Sequence, residues 1–254
     1  MKTLKNHNFE AYLATKLFIR GKKGRLANLL YSYLRWVDDF VDDTNINRVE
    51  QKDFLLGQSK IINSLYKKNK PKIENHLERA ISEVINFDIA KGCSLKSVIK
   101  EMFEVFDFDI KRKNSIPDFK ELNEYSKKIG DAYTRALLFF LAPTLTYRKK
   151  YSISAYASHQ IHLLRDFLID KENGYFNISK EEINKYNIKK NFSQDKDFTL
   201  WLKDKIDNIK FLFLEGKKAF AEIPILKVRL TGYLYCSRYE RIIRRIERNN
   251  YKLR

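Results

Sequence analysis

Apolar side chains recur at every third or fourth position along most of this 254-residue chain, and that rhythm commits it to helices. Leu26, Leu29, Leu30, Tyr33, Leu34, Val37 and Val41 form one stripe over residues 25–47. Ile73, Leu77, Ile81 and Ile85 repeat it over 73–88. Ser94 is a candidate N-cap for a helix carrying Leu95, Val98, Ile99, Met102 and Phe103. A further helix is predicted from Phe119 through Tyr125 and Ile129 into the apolar run at 136–142, and another over 151–170. Ser179-Lys-Glu-Glu182 reads as a capping box opening a short helix, and 184–197 as an exposed connection. Two long helices come next, over 198–221 and 224–249. The four prolines fall between these segments, and eight glycines are too few for a turn-rich β-fold. Strand alternation, internal repeats and a Pro/Gly/Ser linker are absent from the sequence. The expectation is one all-α domain spanning 1–254, with helices surrounding a central cavity.

Charge and composition narrow the function classes. The most apolar run, Ala136 to Leu145, is too short to span a bilayer and contains Pro143, so it reads as a buried helix. Early lysines are followed by no apolar segment of the secretory kind, and Cys93 and Cys236 show neither metal-ligand spacing nor a disulfide framework. A cytoplasmic location is the default. The net charge of +18 has three readings: solvated lysine, attraction to anionic membrane surfaces, or nucleic acid. The basic residues are scattered over nearly every segment without an RNA-binding or zinc-finger signature, which argues against nucleic acid. Solvated lysine is the preferred reading, with peripheral membrane association next.

Two acidic motifs carry the chemistry. In the first, Tyr31-Ser-Tyr-Leu-Arg35-Trp-Val-Asp38-Asp39-Phe-Val-Asp42-Asp43, the pairs Asp38/Asp42 and Asp39/Asp43 are each four apart. On a helix each pair occupies successive turns of one face, where like charges repel by a few tenths of a kcal/mol, ~0.2–0.5. A divalent cation relieves that repulsion, and Mg²⁺ typically takes one or two carboxylates together with substrate phosphates. An acidic helix end in solvent would give the same pattern. The second motif, His159-Gln-Ile-His162-Leu-Leu-Arg165-Asp166-Phe-Leu-Ile-Asp170, places polar groups inside a hydrophobic helix. Burying them without a counterion is costly. Two such motifs facing one cavity would hold Mg²⁺ around a diphosphate, with arginines completing the anion clamp. The plainer reading is a surface Arg165–Asp170 pair with a core histidine.

At these residues the sequence resembles the squalene/phytoene synthase family. Its first motif, Tyr-x-x-x-Arg-x-x-Asp-Asp-x-x-Asp, is matched by Tyr31, Arg35, Asp38, Asp39 and Asp42. Its second, Gln-x-x-Asn-x-x-Arg-Asp-x-x-x-Asp followed by Gly-Arg-x-Tyr, is matched by Arg165, Asp166, Asp170 and Gly174. Tyr125-Ser-Lys-Lys-Ile-Gly130 is similar to the family's Tyr-Cys-x-x-Val-Ala, and Ile223 to Tyr251 to its final helix. Tyr12-Leu-Ala-Thr15 is similar to the stretch just after the family's N-terminal Ser-Phe element. The resemblance implies the isoprenoid synthase fold and head-to-head joining of two prenyl diphosphates, such as farnesyl or geranylgeranyl diphosphate, through a cyclopropylcarbinyl diphosphate. It implies that Asp38, Asp42, Asp166 and Asp170 hold Mg²⁺ and the diphosphates, with His162 at a further metal position. It implies also that Arg35 and Arg165 bind phosphate oxygens, that Tyr239 contacts a diphosphate, and that Tyr31 and Tyr125 lie at the cavity.

The departures define what is particular to this chain. His159 and His162 stand where the family has Gln and Asn, exchanging an oxygen ligand for a softer imidazole. Gly174-Tyr175-Phe-Asn177 lacks the arginine of Gly-Arg-x-Tyr. Gly130-Asp131-Ala-Tyr133-Thr134 is bulkier than the family's Ala-Gly-x-Val-Gly run, which predicts a shortened or reshaped prenyl cavity. Two alternatives stay open: a terpene synthase ionising a single prenyl diphosphate, and a non-catalytic relative.

Overall fold

The computed structural model describes Ile19 and residues 21–253; Tyr12 to Thr15 lie outside the described residues. These are helical, with no strand among them: α1 (Gly21–Asp42), α2 (Arg48–Tyr66), α3 (His76–Ile89), α4 (Ser94–Arg112), α5 (Phe119–Leu141), a 3₁₀ turn (Lys149–Ser152), α6 (Ile153–Arg165), α7 (Phe167–Glu172), α8 (Lys180–Tyr186), α9 (Lys196–Ala221) and α10 (Leu226–Arg248). The protein is all-α. Two compact units divide the chain, one holding the described residues to Lys111 with Arg135–Thr146, the other Arg112–Thr134 and everything from Tyr147 onward.

In the first unit the α1 stripe buries Leu26, Leu30, Tyr33, Val37 and Val41 against α2 and α3. Helix α2 escapes the apolar rhythm because Gln51 and Gln58 occupy two of its five core positions, with Leu55, Ile62 and Leu65. Both are satisfied there. Gln51 Nε2 donates to the Val41 carbonyl at 2.7 Å, and Gln58 accepts from Tyr33 Oη at 2.9 Å while donating to Glu78 Oε1 at 2.8 Å. Paired in this way, buried amides avoid a desolvation penalty of about 1–3 kcal/mol. Asn47 and Asn75 open α2 and α3 with capping boxes to Glu50 and Glu78, each cap contributing about 1 kcal/mol.

The start of α4 differs from the sequence expectation. Ser94 is its first residue, and the group that caps it is Asp88, from the end of α3. Both oxygens of this buried carboxylate face Leu95 N–H, at 3.0 and 3.1 Å, and Oδ2 also accepts Tyr66 Oη at 2.7 Å.

In the second unit α6 packs against α9 and α10. Phe167, Phe198 and Trp201 are almost wholly buried and meet ring to ring at centroid distances of 5.0–5.7 Å. Burial of each contributes about 1.5–3 kcal/mol. At Gly130 on α5, an added Cβ would lie 2.6 Å from the backbone nitrogen of Tyr156, so only glycine allows α5 and α6 to approach this closely. The predicted capping box is present: Glu182 N–H donates to Ser179 Oγ at 3.1 Å, and Ser179 N–H to Glu182 Oε2 at 3.0 Å. The helix predicted over 151–170 is broken. Asp166, at φ −95° and ψ 3°, separates α6 from α7.

Candidate active site

The first motif lies on the last three turns of α1, within the first unit. Arg35 reaches down one turn, with Nη1 donating to Asp38 Oδ2 at 2.9 Å and Nη2 to Asp39 Oδ1 at 2.6 Å. Its Nε is buried without a hydrogen-bond partner among the described residues. Burial, and then the neighbouring Asp42 carboxylate, push Asp38 well above the usual carboxylate range; Arg35 opposes this and Asp109 adds to it. Asp38 and Asp42 thus act on one another as the spacing requires. Asp39 and Asp43 do not form a second helical pair, because α1 ends at Asp42. Asp43 turns instead into the following loop, where it accepts Asn45 N–H at 2.9 Å and Nδ2–H at 3.0 Å. Asp109, which the sequence reading passed over, is a buried carboxylate of α4.

The second motif spans α6, the break and α7. His159 Nδ1 lies 3.0 Å from Ser126 Oγ with its ring edge-on to Tyr125, and His162 Nε2 lies 2.8 Å from Tyr239 Oη. Burial, more than neighbouring charge, lowers His159 to about 3 and His162 to about 4, so both imidazoles are neutral at pH 7. Arg165 pairs with the adjacent Asp166, Nε to Oδ1 at 2.7 Å, and Asp170, its partner in the plainer sequence reading, adds a smaller electrostatic attraction. Across the break the Asp170 N–H still reaches the Asp166 carbonyl at 2.8 Å, which keeps the two aspartates one turn apart. Asp170 Oδ2 accepts Asn177 Nδ2–H at 2.6 Å.

The structure therefore assembles a carboxylate pair with an arginine on α1, and two carboxylates with an arginine and two neutral histidines around the α6–α7 break. The match that decides what this means is a family one: the sequence model described as squalene/phytoene synthase fits residues 4–254. The chain belongs to the squalene/phytoene synthase family. Solved structures agree on the fold. A squalene synthase HpnC from Alicyclobacillus acidocaldarius superposes with a TM-score of 0.79 at 15% identity, covering 98% of this chain and 92% of that one. A dehydrosqualene synthase in complex with ligand gives 0.78 at 16%, covering 100% and 86%. The fold is the isoprenoid synthase fold. No curated protein matches the sequence significantly.

Within this family member, the departures find local explanations. Asp131 is taken up by the 3₁₀ turn, its Oδ1 accepting Tyr147 Oη at 2.7 Å and the hydroxyl of Ser152. Tyr133 stacks on Tyr235 at 5.6 Å and 25°. Tyr239, expected to meet a diphosphate, bonds His162, and that bond occupies one of the two ring nitrogens through which the imidazole could ligate a metal. Where the Gly-Arg-x-Tyr arginine is missing, Arg112 from the end of α4 is present. Its guanidinium carbon lies 5.0 Å from the ring centroids of both Tyr125 and Tyr175, and Nη1 donates to Asn177 Oδ1 at 3.1 Å. Arg112 was not marked by the sequence reading, and Asn177 entered it only as the last position of the Gly-Arg-x-Tyr departure. A lone Arg at a helix end carries no spacing signal, and the turn at Asn114, whose N–H donates to the Gly174 carbonyl at 2.8 Å, holds the two segments together.

Proposed function

We propose that this chain is a Mg²⁺-dependent prenyltransferase that joins two prenyl diphosphates head to head, giving a squalene- or phytoene-like hydrocarbon with release of pyrophosphate. The observation that carries the reading is the family match over 4–254 in a chain that keeps all four motif aspartates and both motif arginines. That match also supports treating 1–254 as one catalytic domain. Among the described residues no three His, Cys, Asp or Glu side chains converge on one metal position, so the donor set suits a Mg²⁺ that completes its shell with phosphate oxygens. Asp38 and Asp42 crowd each other's charge, and a hard cation bound through one or two carboxylates plus phosphate oxygens relieves that crowding. Asp38, Asp42, Asp166 and Asp170 are the proposed ligands, and His162 would join them by giving up its Tyr239 partner. The chemistry a bound Mg²⁺ supplies is positive charge for departing pyrophosphate.

The chain's own residues do the rest. Arg35, with one buried N–H to spare, and Arg165 would turn from their aspartates to phosphate oxygens, a charge-assisted contact stronger than a neutral hydrogen bond. Neutral His159 holds Ser126 in place without adding charge that would compete with the metal. A ring face of Tyr133 or Tyr235 left open by their stacking would offer π-electron density to an allylic cation. Tyr31 and Tyr125 would border the prenyl chains. Purified protein with Mg²⁺ and farnesyl or geranylgeranyl diphosphate should release pyrophosphate and give a C30 or C40 product by mass. Asp38→Ala and Asp166→Ala should each lower turnover by more than about 100-fold with the helical circular dichroism intact. Absence of turnover in the wild type would overturn the reading. Tyr133, in place of a small residue, favours a second reading in which one prenyl diphosphate is ionised and then cyclised or quenched; a C15 or C20 product would establish it.

Peripheral membrane association belongs to the same proposal, since a C30 or C40 hydrocarbon needs a lipid phase. Helix α10 supports it. Leu226, Leu230 and Leu234 are 58%, 45% and 59% exposed at a spacing of four, and Arg241, Arg244, Arg245 and Arg248 continue that side of the helix. Apolar residues followed by cations on one face suit an anionic bilayer surface.

A further inference from the structure

We propose that Arg112 and Asn177 are positioning residues for the last aspartate of the second motif; this rests on the metal role proposed above for Asp170. Asn177 is 2% exposed, and its amide has three partners of fixed character. Arg112 Nη1, 3.1 Å from Oδ1, can only donate. The Leu163 carbonyl, 3.2 Å from Nδ2, can only accept, and so can the Asp170 carboxylate at 2.6 Å. The amide therefore has one satisfying orientation, and the guanidinium enforces it. If the amide turned over, its NH₂ would face a cation, and its oxygen would face a carbonyl and a carboxylate.

The guanidinium is itself held, over the rings of Tyr125 and Tyr175 at 5.0 Å from each and 7% exposed. Rigidity thus passes from a stacked cation through an amide to a carboxylate. With Oδ2 of Asp170 bonded by the amide, the rotation of that carboxylate is fixed and the direction presented by Oδ1 with it. Partners that orient a metal-ligating carboxylate in this way usually govern about 10–100-fold in affinity or activity. Tyr175 and Asn177 are the two positions at which the chain departs from Gly-Arg-x-Tyr, and both belong to this wire. The substitution at 175 removes one arginine and supplies the ring on which another is stacked.

The test uses the full chain and two readouts. Mn²⁺ binding in the presence of inorganic pyrophosphate, followed by electron paramagnetic resonance, reports the metal site without turnover. The side-chain amide signals of Asn177, followed by NMR on metal-free protein, report the wire itself. Arg112→Met removes the donor. Asn177→Asp keeps the acceptor toward Arg112 and places a carboxylate against Asp170. Arg112→Lys restores a donor and a charge. The expected result is a 10–100-fold loss of Mn²⁺ affinity in the first two and recovery to within about threefold in the third. Shifted Asn177 amide signals should appear in Arg112→Met alone of the two arginine variants. Wild-type affinity in both Arg112→Met and Asn177→Asp, with Asp170→Asn still impaired, would overturn the positioning role and leave the metal reading standing. Should wild-type protein fail to bind Mn²⁺ with pyrophosphate, the metal reading falls and this inference with it. Should Arg112→Met fold poorly by circular dichroism, the comparison of Asn177→Asp with wild type decides in the same way.

Discussion

His159 shows what a single residue can do when the surrounding helix strips its solvent. Its ring is held neutral down to about 3 from an ordinary value of 6.5, by burial first and then by His162 and Arg112. A histidine whose folded pKa is depressed contributes stability that is complete above pH 6.5. That contribution is lost as the pH falls toward 3, because the unfolded chain takes up a proton that the folded one refuses. The slope from this one group is at most about 1.4 kcal/mol per pH unit. His159→Gln keeps a partner for Ser126 and removes the titration. Its urea midpoint should therefore fall less steeply than that of the wild type between pH 6.5 and 4, and parallel curves would contradict the assignment. At this scale the sequence was legible where residues carry spacing. Arg35, Asp38, Asp42, Asp166 and Asp170 carry a spacing that marks them as candidates, whereas Arg112 and Asn177 are 65 positions apart and joined by a contact no local pattern encodes.

Among the elements, legibility depended on what fills the core positions. Helices α1, α9 and α10 carry apolar stripes and were predicted to within a few residues, α1 excepted at its C-terminal end. Helix α2 was missed because glutamines sit at Gln51 and Gln58, and an amide on a core face breaks the hydrophobic rhythm without breaking the helix. The break at Asp166 was equally hidden, since nothing in Leu-Arg-Asp-Phe-Leu disfavours helix. Close approach between elements gives a sharper expectation. Gly130→Ala inserts a methyl 2.6 Å from the Tyr156 backbone nitrogen, and a backbone atom has little room to retreat. The expected loss is about 1–3 kcal/mol by urea denaturation, against the small gain an alanine normally brings to a helix. On α10, replacing Leu230 and Leu234 together by Glu should reduce binding to phosphatidylserine-containing vesicles by at least about tenfold. Flotation of that variant at the wild-type level would remove α10 from the membrane proposal.

For the molecule as a whole, helical periodicity conveyed the fold class and the family motifs conveyed the isoprenoid synthase fold, while the division into two compact units left no linker to read. The +18 charge is spread over the chain, and no helix among the described residues is long and apolar enough to cross a membrane. The Asp88 cap reaches into the time domain. Asp88 gathers Tyr66 from 22 residues upstream and Leu95 from seven downstream, so a single carboxylate closes two short loops linking three consecutive helices. Short loops close in about 10–100 ns, far faster than distant segments find one another. The α2–α4 segment is thus suited to serve as the folding nucleus, around which slower, long-range pairings condense. Asp88→Asn should slow refolding, followed by Trp36 and Trp201 fluorescence in stopped flow, and leave the unfolding rate nearly unchanged. The carboxylate that caps one helix would then also set the order in which its neighbours assemble.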